Sequence, residues 1–94
     1  MIPILGDVLV FTGGFYTMDW VSVIVWAEKL GFRVSGVVNA NTAFLLIGSN
    51  PYLPKILQAK KLNRFLEKPI VFIGELEFSE MIDEYRELRE PGEN

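Results

Sequence analysis

The stretch Asp7-Val-Leu-Val-Phe-Thr-Gly-Gly14 decides how the rest of the chain is read. Four apolar residues and a β-branched threonine run on without polar alternation and stop at two glycines, the pattern of a strand buried on both faces. Such a strand needs helices above and below it, so helical crossovers are expected on its flanks. Downstream, Met18 to Leu30 contains no Gly or Pro, Gly31 terminates it, and Thr17 or Asp19 is placed to cap its start. The stripe Val23, Ala27, Leu30 faces the core with Trp20 and Trp26 beside it, while Val21, Ile24 and Val25 fall elsewhere on the helix surface.

Phe32 to Val38 reads as a second strand, the polar Asn39-Ala-Asn41-Thr42 as a loop, and Ala43 to Ile47 as a third strand closed by Gly48-Ser-Asn-Pro51. Pro54 suits the first turn of a helix running through Lys55, Ile56, Ala59 and Lys60 to about Leu62 or Phe65. Pro69 to Ile73 is a fourth apolar run, ended by Gly74. Glu75 then opens a last helix in which Leu76, Phe78, Met81, Ile82, Tyr85 and Leu88 recur at three- and four-residue steps, with acids in its first turn to complement the helix dipole. The order β-α-β-β-α-β-α predicts an α/β three-layer sandwich, a four-stranded mainly parallel sheet flanked by three helices. Residues 6–89 are read as the domain, 1–5 as an N-terminal arm and 90–94 as a frayed tail.

Ninety-four residues, half of them apolar, make one domain and leave no room for a second. Folding so short a chain removes only roughly 60 to 65% of its exposable surface from water, which favours a binding module over an enzyme with a large enclosed cavity. The absence of Cys and His excludes disulfides, thiolate nucleophiles, imidazole bases and the usual zinc sites. No cofactor and no metal are expected. The longest nearly unbroken apolar stretch, Val21 to Ala27, falls far short of the ~20 residues of a membrane span, and Met1 to Leu9 lacks the basic flank of a signal peptide. A cytoplasmic location follows, or a nuclear or nucleoid one if a parent protein acts on DNA. The net charge is -3, but it is sorted. Between Lys29 and Lys68 seven basic residues face one acid, whereas from Pro69 onward eight acids face Arg86 and Arg89. A basic middle segment in an acidic chain suits one local phosphate better than indiscriminate coating of nucleic acid.

Val8-Leu-Val-Phe-Thr-Gly13, Leu30-Gly31-Phe-Arg-Val34, Asn41-Thr42-Ala-Phe-Leu-Leu-Ile-Gly48, Lys55 with Ala59, and Ile73-Gly-Glu-Leu-Glu-Phe78 follow one another in an order and spacing that resembles the BRCT domain. The resemblance covers about Gly6 to Tyr85 and is nearest to the single copies of bacterial NAD-dependent DNA ligases, the replication factor C large subunit and exonuclease-linked proteins. It implies a sheet order 2-1-3-4 and a non-catalytic interaction module of replication and repair. The implied partner is a phosphorylated protein or a 5'-phosphorylated DNA end. Trp20 stands where DNA-binding members open their first helix with an arginine, which removes one phosphate ligand. The loop Asn39-Ala-Asn41 is neutral where those members often carry lysines, and Phe32 replaces the second glycine after Leu30.

A phosphate needs several convergent donors. The Thr12 hydroxyl, the Gly13 N–H and the Lys55 ammonium are candidates, joined by the N-terminal amides of the second helix and surrounded by an outer field from Lys60, Lys61 and Arg64. In a parallel sheet the end of strand one and the turn into helix two open at the same carboxyl edge, where such folds bind ligands. Competing structural roles are that Thr12 fills a β position and caps a turn, that the two glycines only permit a tight backbone, and that Lys55 lies along a helix surface. A second hypothesis is phosphate-independent protein association or self-association through Phe15, Tyr16, Trp20, Ile24 and Val25, unless the last helix or residues 1–5 cover them. Catalysis lacks support: there is no Gly-x-Gly-x-x-Gly, no P-loop lysine and no nucleophile–base pair, and Asp7 and Asp19 sit at opposite ends of the first strand–loop unit.

Overall fold

A computed structural model describes residues 5–89. The expected arm and tail therefore lie, but for Leu5, outside the described residues. The elements are β1 (Val8–Thr12), α1 (Trp20–Lys29), β2 (Arg33–Val34), β3 (Thr42–Ile47), α2 (Leu53–Leu62), β4 (Val71–Gly74) and α3 (Glu75–Arg89). The four strands form one sheet in the order β2-β1-β3-β4, and every pairing is parallel. The predicted α/β class, element order and sheet order are those observed.

Alternation along the central strands sends successive side chains to opposite faces, and each face has its own core. On one side Leu9, Phe44, Leu46 and Ile73 meet Val23 and Ala27 of α1 and Phe78, Met81 and Ile82 of α3. On the other, Val10 and Leu45 meet Ala59 of α2 together with Val38 and Ile70. The layers are thus α1 with α3, the sheet, and α2. Burying each leucine here contributes about 1.5 to 3 kcal/mol. Phe32 and Phe44 pack edge to face with ring centroids 5.3 Å apart, closing the first core beneath β2.

Several boundaries differ from expectation, each for a local reason. The second strand is two residues, not seven: Ser35 N–H still bonds the Leu9 carbonyl at 3.0 Å, but the Ser35 hydroxyl then accepts the Val37 N–H and the chain turns to bury Val38 in the other core. α1 starts at Trp20 rather than Met18, because Asp19 caps it by accepting the Ser22 N–H at 2.9 Å. β4 starts at Val71 rather than Pro69. Proline has no N–H to give, and the Ile70 N–H and C=O are both taken by the Asn63 side chain at 2.7 and 3.1 Å. α2 ends at Leu62, with Asn63 as its C-cap.

Candidate functional site

The connection leaving β1 runs to one side of the sheet, into α1 and β2, while the connection leaving β3 runs to the other, into α2 and β4. β1 and β3 therefore flank the point where the winding reverses. The crevice outside their carboxyl ends is the general ligand position of open parallel sheets. Three segments meet there: residues 13–17 after β1, residues 48–52 after β3, and Gly74 to Glu77 at the start of α3.

The first two segments are stitched backbone to backbone. Gly48 N–H bonds the Thr12 carbonyl at 2.9 Å, and Gly14 and Ser49 exchange two N–H···O bonds of 2.8 Å. The approach is close enough that a Cβ on Gly13, whose φ is +92°, would lie 2.6 Å from the Ser49 carbonyl oxygen. A Cβ on Gly48 would lie 2.2 Å from the Gly14 oxygen. Asn50, in the facing loop after β3, adds a second left-handed position, φ 49°. Such sparsely populated conformations are kept where surrounding contacts fix them.

Thr12 is only 5% exposed, and its hydroxyl accepts the Tyr52 N–H at 2.8 Å. A hydroxyl that accepts one bond keeps its own proton to donate. Tyr52 is the N-cap of α2, its side chain makes no capping bond, and the first turn carries no acid. Lys55 is the third residue of that helix and is half-buried. The structure thus brings the end of β1 against the first turn of the helix that carries Lys55. Because the Thr12 carbonyl points to β3, the trans peptide directs the Gly13 N–H the opposite way, towards the side on which β2 has already ended at Val34.

Lys60, Lys61 and Arg64 lie on the exposed face of α2 and the turn after it, and with Leu57 they line one shallow depression. Among the described residues no carboxylate pairs with Lys55, Lys60, Lys61 or Arg64.

Sequence reasoning missed Glu75. Its carboxylate accepts the Tyr16 N–H at 2.9 Å, the Thr17 N–H at 2.7 Å and the Thr17 hydroxyl, tying the β1–α1 loop to α3. The Thr17 hydroxyl and these two amides hold its pKa below the ordinary carboxylate value. Glu77 accepts the Gly74 N–H at 2.8 Å, closing the same corner. Asp19 is likewise held low, by the Ser22 backbone N–H first. An acid at the start of a helix was legible as a dipole partner, but its reach across 58 residues to Thr17 had no local signal.

The apolar residues predicted as an interface separate. Tyr16 and Trp20 are 88% and 61% exposed, and Val25 is exposed with Val21 beside it. Phe15 instead packs against the first core, 6.1 Å from the Phe11 ring, and Ile24 is half-buried. The expectation that α3 covers Trp20 is not met among the described residues. Trp26, not Trp20, faces α3, where the Tyr85 ring meets it edge-on and Lys29 and Arg86 lie 4.8 and 4.9 Å from its centroid. No group of acidic residues able to hold a metal ion occurs among the described residues, nor any helix long and apolar enough to cross a membrane.

No protein-family model matches the chain. Over 58 residues, 62% of its length, it is 43% identical to a DNA ligase of Rickettsia typhi (strain ATCC VR-144 / Wilmington). The match covers 8% of that ligase.

Proposed function

We propose that the chain is a non-catalytic, BRCT-like interaction module that grips one phosphate monoester at the carboxyl edge of its sheet. The Thr12 hydroxyl and the Gly13 N–H donate hydrogen bonds, and Lys55 supplies the charge. The observation that carries this reading is the 2.8 Å bond from Tyr52 N–H to Thr12 Oγ1, which sets the hydroxyl on an acid-free helix start. The dipole of α2 and the ammonium of Lys55 favour an anion in that place, and the Thr12 hydroxyl has a proton left to give it.

Two sources present this chemistry, a phosphorylated protein and a 5'-phosphorylated DNA end. The similarity to a DNA ligase supports a place in DNA replication or repair and is compatible with the cytoplasm or the nucleoid. The test titrates the chain with inorganic phosphate, a phosphopeptide panel and 5'-phosphorylated nicked DNA while backbone amide resonances are followed. Shifts centred on Thr12 to Gly14 and on Tyr52 to Lys55 are expected, with affinity lost in Thr12→Ala and Lys55→Met and kept in Thr12→Ser. Equal affinity in all four proteins removes the pocket.

A second reading is phosphate-independent association through α1, favoured by the exposure of Trp20 together with Val21 and Val25 on one helix. Its signature is concentration-dependent mass lost in Trp20→Ser.

A further inference from the structure

The outward faces of α2 and α3 carry the same spacing with opposite charge. On α2, Leu53 is followed after seven positions by Lys60, and Arg64, in the turn just past the helix, shares a shallow depression with Lys60. On α3, Leu76 is followed after seven and eleven positions by Asp83 and Glu87. Seven and eleven residues return to nearly the same side of an α-helix, so Leu76, Asp83 and Glu87 form one stripe; Leu53 and Lys60 form another, which Arg64 extends beyond the helix end. All six residues are exposed, with Leu53 and Leu76 showing 63% and 72% of their surface. None of them is needed to fill either core.

The two stripes cannot meet within one chain, because α2 and α3 lie on opposite faces of the sheet. We infer that they meet between chains: α2 of one copy docks along α3 of a second copy, parallel, with Leu53 against Leu76, Lys60 against Asp83 and Arg64 against Glu87. The parallel direction is the better match: it sets one apolar group, Leu57, against a charge, Glu80, whereas the same stripes run antiparallel would set Leu53 against Glu87, Leu57 against Asp83 and Leu76 against Arg64. The contact joins two different surfaces, so a pair keeps one α2 and one α3 surface free and the association is head-to-tail. None of Thr12, Gly13 and Lys55 takes part, so the contact stands apart from the phosphate pocket itself, although it would compete with an anionic polymer for Lys60 and Arg64.

Charge reversal tests the register. Lys60→Glu/Arg64→Glu makes both stripes of a copy acidic, and Asp83→Lys/Glu87→Lys makes both basic; all four sites are exposed, and circular dichroism verifies that each variant is folded. In sedimentation of the full chain at low salt, the wild type is expected to gain mass with concentration and each variant alone to stay at the mass of one chain. An equimolar mixture of the two variants should associate again, because each now offers the other complementary stripes. Raising salt should disperse both assemblies as the screening length falls from about 30 Å at 0.01 M to about 8 Å at 0.15 M. A wild type that keeps one-chain mass at every concentration, or a mixture that stays monomeric, overturns the proposal. So does association that survives in both variants and disappears in Trp20→Ser, which would assign it to α1.

Discussion

Gly13 and Gly48 hold the candidate site together by having no side chain. Each is a point where the β1 and β3 loops pass at backbone contact, and the nearest atom to an added Cβ is backbone rather than the end of a yielding side chain. Gly48→Ala is therefore expected to cost about 1 to 3 kcal/mol, read as a lower urea midpoint, because the loops must part to admit one methyl group. Gly36, whose added Cβ would meet nothing within 4 Å, should accept alanine within about 0.5 kcal/mol and serves as the control. Glu75 is the other residue on which the site's shape rests. Its pKa is lower in the folded chain than in the unfolded one, so its contribution to stability is fully present above the unfolded value. That contribution is lost as pH falls through the folded value. Glu75→Gln should then unfold with a shallower dependence on pH across the acid range than the wild type. Parallel curves would show that the Tyr16 and Thr17 donors do not depend on its charge.

At the scale of elements, the junction between α2 and β4 hangs on Asn63, which caps the helix and pairs with both backbone groups of Ile70 as a neighbouring strand would. Ile70 is buried, so Asn63→Ala strands an N–H and a C=O away from water, and a loss of about 1 to 3 kcal/mol in chemical denaturation is expected. Asn63→Asp keeps the acceptor but loses the donor and should fall between the two. The elements themselves were legible because hydrophobic period and glycine punctuation are local signals: β1, the Val23–Ala27 stripe and the run from Phe78 to Ile82 lie where the pattern put them. What was not legible depended on contacts from afar. β2 shrank to Arg33–Val34 because Val38 was wanted by the opposite core. Phe15 left the predicted apolar surface to pack near Phe11 and Gly48. Trp20 and Trp26 share one helix, yet only the position of α3 decides which is covered. For the site, sequence supplied Thr12, Gly13 and Lys55, and the topology of a parallel sheet supplied their common edge. Ser49 and Tyr52 act through their backbone groups and Glu75 through a carboxylate that reaches a loop distant in sequence, which no residue pattern announces.

Among the described residues the charge sorting becomes a division in space: Lys55, Lys60, Lys61 and Arg64 lie on the α2 side of the sheet and the acids of α3 on the other. A net charge of -3 hides this dipole, and it sets how a phosphate-bearing polymer must lie. On the proposed phosphate reading, a strand anchored by its terminal phosphate at Thr12 would meet attraction along α2 and repulsion across α3, and its next phosphates would run past Lys60, Lys61 and Arg64. Pocket and field then separate by their response to salt. Each phosphate neutralised on duplex DNA adds about -0.9 to the slope of log affinity against log salt, so contacts through Lys55 and the three outer cations give roughly -3 to -4. Lys60→Gln/Lys61→Gln/Arg64→Gln should flatten that slope to about -1 and weaken phosphorylated and unphosphorylated ends alike. Thr12→Ala should leave the slope unchanged, because the hydroxyl carries no charge, and erase the preference for the phosphorylated end. If instead the triple variant keeps the steep slope, the strand does not follow α2, and the cations on that helix are left to the contact with α3 of a second copy.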